Sequence, residues 1–246
     1  MAKKIIHTVF AALLLVYLVF SVAFISPKAG EDRECKGVTI EVAETGGASP
    51  YLSRTQIEAL LGKAGLRFSG RQISEINAGF IEKTLKDYKL IKKAEVYKTI
   101  DGMVKIKVYQ RVPILRVISG SGNYYVDEEG QIMPIPPHFT AHVLVATGAI
   151  SDEYAQKQLY GFVEFLRNDR FWNEQIEQIH ILPDGDVELT PRKGNHTVVL
   201  GKIENYKENL DKLELFYDKA LNKVGWNKYS RINLKYKNQV VCTKRE

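Results

Sequence analysis

The stretch from Val104 to Gly130, VKIKVYQRVPILRVISGSGNYYVDEEG, constrains the chain more than any other. It opens with Val104, Ile106 and Val108 alternating against Lys105, Lys107 and Tyr109, the period-two pattern of a strand with one wet face. Arg111-Val112-Pro113 then interrupts it, because proline removes a ladder donor and confines a segment to an edge or an exit. A second alternating run, Tyr124-Tyr125-Val126, is closed by the acidic turn Asp127-Glu128-Glu129-Gly130. One module therefore ends at Pro113 and another begins with a hairpin.

An uncharged, mostly apolar run from Ile5 to Ile25 follows Lys3 and Lys4. As a helix it would reach roughly 31 Å, about one bilayer core. The lysines on its short side place residues 1–4 in the cytoplasm and the bulk of the chain outside it. A cleaved signal peptide, with Ser21-Val22-Ala23 as its cleavage site, stays open as the rival reading. The length of the run favours a retained span over residues 5–25.

The chain carries a net charge of +6, but three lysines fall within residues 1–28, which leaves 32 basic against 29 acidic side chains beyond them. That mild excess, with no basic cluster interleaved with aromatics, argues against a nucleic-acid partner. Cys35 and Cys242 are a sparse use of cysteine; they could pair or stay as two thiols.

Residues 26–36 read as a polar linker, and Val38 to Val42 as a β-branched strand. After a loop at Thr45-Gly46-Gly47-Ala48-Ser49-Pro50, Ser53 and Gln56 have capping-box spacing ahead of Ile57, Leu60 and Leu61. A second helix is expected from Ser74 to Tyr88, with Ile76, Phe80, Ile81, Leu85 and Tyr88 near one face. Ala94–Thr99, the turn Asp101-Gly102 and Val104–Gln110 form a hairpin. The order β-α-α-β-β over residues 37–113 is a complete small α+β domain, with two helices on one face of a three-stranded sheet.

Residues 114–246 predict a mixed sheet with flanking helices. Ile132–Ile135, His142–Ala146, Ile176–Leu182, Val187–Thr190, Thr197–Leu200, Tyr229–Tyr236 and Val240–Cys242 are its expected strands. Helices follow the Ser151 cap and run from Tyr206 to Val224, and Phe171-Trp172 are expected in the core or packed at a domain edge.

Catalytic chemistry is hard to find. His7, His138, His142, His180 and His196 share no metal-ligand spacing with one another or with the cysteines. No nucleophile elbow, phosphate loop, zinc-protease or dinucleotide fingerprint is present. Asp127-Glu128-Glu129, and Asp184 and Asp186, read as solvated turn acids. The residues point to a non-catalytic protein without cofactor, metal or small-molecule substrate.

The order of elements resembles a POTRA domain, and several motifs resemble the bacterial cell-division FtsQ (DivIB) family. They are Leu-Ser-Arg-Thr-Gln-Ile at 52–57, Lys-Lys-Ala-Glu-Val-Tyr-Lys at 92–98 and Ile-Lys-Val-Tyr-Gln-Arg-Val-Pro-Ile at 106–114. The family's hairpin exit reads v-x-E-R-x-P, followed by y-x-v-D-x-x-G. Arg111, Pro113, Tyr125, Asp127 and Gly130 match it, whereas Gln110 replaces the glutamate. The resemblance implies a single-span scaffold of the division machinery at the inner membrane, with a POTRA domain and a β domain outside the cytoplasm. Its implied partners are FtsB/FtsL-like, FtsK-like and septal peptidoglycan-synthesis proteins, and its implied mode is strand addition at the last strand. The family's d-L-R-Y there appears as Asn233-Leu234-Lys235-Tyr236, with lysine for arginine. The implied contact residues are Lys235, Tyr236, Lys237, Asn238, Gln239, Val240, Val241 and Cys242. A POTRA-bearing transport or outer-membrane assembly component is the alternative, weakened by the lack of the repeated alternating segments of a membrane barrel.

Overall fold

The structure is a computed structural model that describes residues 2–24, 33–43 and 50–246 of the chain. Residues 1 and 25–32, which include most of the expected linker, and 44–49, the expected loop, lie outside the described residues. Contacts divide the chain into two units, one of residues 1–43 and 52–109, the other of 44–51 and 110–246.

The first helix, α1, is Ala2–Phe24, 23 residues long. Its side chains are described only at His7, Phe10 and from Ala12 to Ser21. Among the described residues no helix is long and apolar enough to cross a membrane; Ile25, the last residue of the expected span, and several of its side chains lie outside the described residues.

The first unit continues with β1 (Gly37–Ala43), α2 (Arg54–Lys63), α3 (Ala78–Lys86), β2 (Ile91–Lys98) and β3 (Met103–Gln110). The sheet order is β1-β3-β2, with β1 parallel to β3, so the strand carrying Val104, Ile106 and Val108 is the central one. All three are at most 1% exposed. Ser53 caps α2 with both halves of a capping box: its Oγ accepts from the Gln56 N–H, and the Gln56 Oε1 accepts from the Ser53 N–H. Gly102 turns the β2–β3 hairpin at φ +86, the left-handed conformation that only glycine adopts without a steric penalty.

One expectation fails here. The helix from Ser74 to Tyr88 is broken into a short 3-10 turn, Ile73–Glu75, and α3. Ile76 is extended, and the Asn77 side chain accepts from the Phe80 N–H, restarting the helix. Asparagine competes for backbone groups in this way and so prefers a cap to a helix interior. The break turns the face: Ile81 and Leu85 are 1% exposed, each burial contributing about 1.5–3 kcal/mol, while Phe80 is 53% exposed.

The second unit holds one nine-stranded mixed sheet, in order β12-β11-β10-β9-β8-β7-β4-β5-β6. Its strands are β4 (Pro113–Ser119), β5 (Gly122–Asp127), β6 (Ile132–Met133), β7 (Leu144–Gly148), β8 (Ile176–Ile181), β9 (Asp186–Pro191), β10 (Thr197–Lys202), β11 (Tyr229–Asn233) and β12 (Val241–Lys244). The strand β4 is an addition to the expected order. It lies inside the sheet between β5 and β7, so Pro113 marks neither an edge nor an exit. Proline is tolerated because it is the first residue of the strand, where the missing N–H breaks no interior ladder bond.

After β7 the Ser151 Oγ caps α4 (Asp152–Tyr154), which passes through a π turn, Ala155–Leu159, into α5 (Tyr160–Asn168). Asp169 then caps α6 (Arg170–Gln175) and buries Trp172. Following β10 come α7 (Tyr206–Phe216), a second π turn, Tyr217–Leu221, and α8 (Asn222–Val224). Tyr206 packs on Phe162 and Phe165 at ring distances of 5.0 and 4.9 Å, which sets α5 and α7 side by side on one face of the sheet. Phe162, Val163, Leu166, Leu210, Leu213 and Leu221 fill the core between helices and strands, all fully buried. His180 and Thr190 on β8 and β9 face away from it and are exposed.

Candidate partner-binding edge

The last strand forms one rim of the sheet. β11 runs parallel to β10, pairing Val198 with Ile232, and β12 folds back antiparallel, pairing Ile232 with Cys242 and Asn233 with Val241. On its other side β12 pairs with no strand among the described residues. A free rim of backbone N–H and C=O groups is a template for another chain's strand.

The turn into β12 is held from three directions. Leu234 is fully buried, and its N–H donates to the Val199 carbonyl at 3.0 Å. Lys212 of α7 donates from Nζ to the carbonyls of Leu234 and Tyr236, at 2.8 and 3.2 Å. Lys235 reaches back over β10 to the Asp186 carboxylate, which Lys202 also binds at 3.0 Å. Gly201 makes room for that crossing: a Cβ there would sit 2.9 Å from the Lys235 Cγ. The bond from Lys235, followed by that from Lys202, holds the Asp186 carboxyl below its usual range against the opposing effect of burial.

The eight residues singled out in the sequence do not form one strand. Lys235, Tyr236, Lys237, Asn238, Gln239 and Val240 make the turn, with Asn238 at φ +59, and only Val241 and Cys242 lie in β12. The strand expected from Tyr229 to Tyr236 stops at Asn233, where the Asn233 Oδ1 accepts from the Lys235 N–H and ends the pairing. Tyr236 and Val241 are exposed at 53% and 45%, whereas Cys242 is half-buried and burial pushes its thiol up. Cys35 and Cys242 are both free thiols. Beside the turn, a groove of roughly 630 Å³ is floored by Leu215, Phe216 and Ala220 of α7 and the π turn. Leu215, on α7, is 60% exposed.

Two acids read as solvated turns are buried. Asp127 is 1% exposed; its Oδ2 accepts from Arg111 at 2.5 Å and its Oδ1 from the N–H groups of Glu129 and Gln131. Asp186 is 3% exposed under its two lysines. Asp127 ties the turn after β5 to the connection between β3 and β4, and Asp186 ties β9 to the turn before β12, which gives each a structural reason to be an acid. Gln110, at the position of the family's glutamate, is 2% exposed and accepts from the Tyr51 N–H at 3.0 Å, a bond a carboxylate would also make. Among the described residues no three His, Cys, Asp or Glu side chains are grouped to hold a metal.

Residues 33–109 match a model of POTRA-like domains. Residues 112–243, more than half of the chain, match the family model described as FtsQ/DivIB, C-terminal related. No curated protein matches the chain. One solved structure with some likeness is the major extracytoplasmic domain of the trans isomer of the bacterial cell division protein DivIB from Geobacillus stearothermophilus. It is 16% identical and covers 47% of this chain and 98% of its own, at a TM-score of 0.34, too low to support any conclusion alone. The match over residues 112–243, behind a POTRA-like domain, places this chain in the FtsQ/DivIB family of cell-division proteins.

Proposed function

We propose that this protein is a non-catalytic scaffold of the bacterial division machinery, which captures other membrane-anchored division proteins by strand addition to β12. The observation that carries the reading is the position of β12: it ends the nine-stranded sheet, with exposed Val241 on it and exposed Tyr236 beside it. The partner's strand would supply main-chain bonds, and these side chains would select it. FtsB/FtsL-like proteins are the proposed occupants of this edge. FtsK-like and septal peptidoglycan-synthesis proteins are the proposed partners of the scaffold as a whole.

The anchor belongs to the same proposal. The uncharged, apolar composition of residues 5–25 supports a single span, with residues 1–4 in the cytoplasm and the bulk of the chain outside it. Confinement to a membrane raises the effective concentration of partners anchored alongside.

Depletion in the host, followed by rescue, tests both levels. Loss of the protein is expected to give filaments without septa, and a copy ending at Gln239 is expected to accumulate normally yet fail to restore division. Normal division on depletion would overturn the division role. Full rescue by the shortened copy would overturn the edge alone.

A further inference from the structure

A further cleft lies in the second unit, lined by no residue of β12. A cleft of roughly 390 Å³ opens where β4 begins and β9 has just ended, and it is lined by Arg167, Arg192, His142 and Asn173 over apolar residues that include Ile114 and Phe139. Among the described residues no carboxylate lines it. Neither guanidinium has an ion-pair partner among the described residues, whereas Arg111, Arg170 and Arg231 of this unit are each matched to an acid.

The frame that presents these groups is fixed. Arg167 stands in the last turn of α5, and the Arg192 backbone donates to the Gln175 carbonyl at 2.7 Å, extending the β8–β9 pairing by a residue. On the opposite wall, the Ala141 N–H donates to the buried Tyr125 hydroxyl, and Phe139 packs on Tyr51 at a ring distance of 4.9 Å. Two guanidiniums on separate elements, converging on one cleft with apolar walls, match a carboxylate flanked by apolar groups. The planar fork of arginine binds a carboxylate in two-point fashion, and the apolar wall shields that bond from water.

We infer that this cleft binds an acidic, apolar-flanked peptide segment of a partner protein, with Arg167 and Arg192 pairing its carboxylates and Phe139 and Ile114 packing its apolar side chains. The inference rests on charge complementarity within this unit and is independent of strand addition at β12. It gives the scaffold two separate grips, so one partner can be held while another is exchanged.

The test is a titration of the full-length chain in detergent with an end-blocked Leu-Asp-Glu-Leu peptide and its Leu-Asn-Gln-Leu isostere, read by arginine side-chain NMR. The acidic peptide is expected to saturate the shifts of Arg167 and Arg192, and the isostere to bind at least roughly tenfold more weakly, the worth of one charge-assisted pair. R167A/R192A is expected to abolish binding with an unchanged circular dichroism spectrum, and R167K/R192K to retain part of it, since lysine keeps the charge and loses the fork. If the double alanine variant loses its fold, the lysine variant and the isostere decide the matter. Equal affinity for the two peptides, undiminished binding by R167A/R192A, or binding only to anionic lipid vesicles would overturn the inference.

Discussion

Lys235 closes an ion pair on Asp186, a residue 49 positions earlier in the chain and 3% exposed. The contact ties the turn that leads into β12 to the first residue of β9, two strands further in. A family position that usually carries arginine is thus occupied here by a lysine with a structural partner. The rim of the sheet is positioned from within.

Lys235→Ala is expected to lower the urea midpoint only modestly, because the lysine stays near half exposed and its ion pair is screened by water. Asp186→Asn addresses the pH dependence. A carboxyl whose folded value is depressed stabilises the fold above its unfolded value, near pH 4, and that contribution is lost as pH falls through the folded value. Urea midpoints measured from pH 6 down to pH 3 should fall less steeply in Asp186→Asn than in the parent. Trp172 and Trp226 both lie in this unit, so their fluorescence reports its unfolding. Parallel pH curves would remove Asp186 from the explanation.

Arg111→Ala is expected to be the more damaging change, about 2–4 kcal/mol by urea denaturation. It strands a fully buried carboxylate that retains two backbone N–H bonds but no counter-charge. Arg111→Ala/Asp127→Asn should recover a large part of the loss, because an amide at 127 no longer buries a charge. A double variant no more stable than the single one would argue against the pair as the cause.

These two pairs also mark what the sequence could and could not disclose. The Ser53–Gln56 capping box, the Gly102 hairpin and the alternation of β3 are encoded within four to eight residues, and the chain folds as those local rules demand. The burial of Asp127 and Asp186 depends on Arg111 and Lys235, sixteen and forty-nine residues away, and a local reading of Asp-Glu-Glu-Gly or Asp-Gly-Asp can only suggest a wet turn. The signal that could have found the first pair was present: Arg111 and Asp127 both match the family's hairpin-exit pattern. For the edge, the position of the last strand was legible, but its length was not. The Asn233 side-chain bond that ends β11 looks from sequence like one more residue of a strand. Arg167 and Arg192 line one cleft only because α5 and β9 both end beside it, and no spacing rule predicts that.

His196 offers a test of the packing between β10 and α7. It is 3% exposed, and its Nε2 lies 3.0 Å from the Tyr217 hydroxyl. Burial lowers its pKa, Arg245 adds to the effect, and a backbone contact with Trp226 opposes it. The unfolded chain takes up that proton near pH 6.5 while the folded chain resists, so stability falls as pH drops below that value. The His196 ring proton, followed by NMR, should titrate below pH 6.5. A midpoint at or above 6.5 would mean that the ring is less enclosed than its contacts indicate.

The decisive prediction separates Tyr236 from its neighbour. Its side chain is 53% exposed and its carbonyl, not its ring, is what Lys212 holds, so Tyr236→Ala should leave the unfolding free energy from urea denaturation within about 0.5 kcal/mol. At an interface an exposed tyrosine beside a free strand is an anchor, and its loss should weaken partner capture at least roughly tenfold. A photo-crosslinker at Val241, with Glu177 on the exposed face of β8 as a control position, measures that capture in dividing cells. Adducts with membrane-anchored division proteins are expected at Val241, absent at Glu177 and depleted by Tyr236→Ala. Because Lys235→Ala weakens the turn and Tyr236→Ala does not, comparing the two divides loss of the edge's shape from loss of its contact. Unchanged adducts in a folded Tyr236→Ala protein would leave the tyrosine with no part in recognition and the edge with backbone bonds alone.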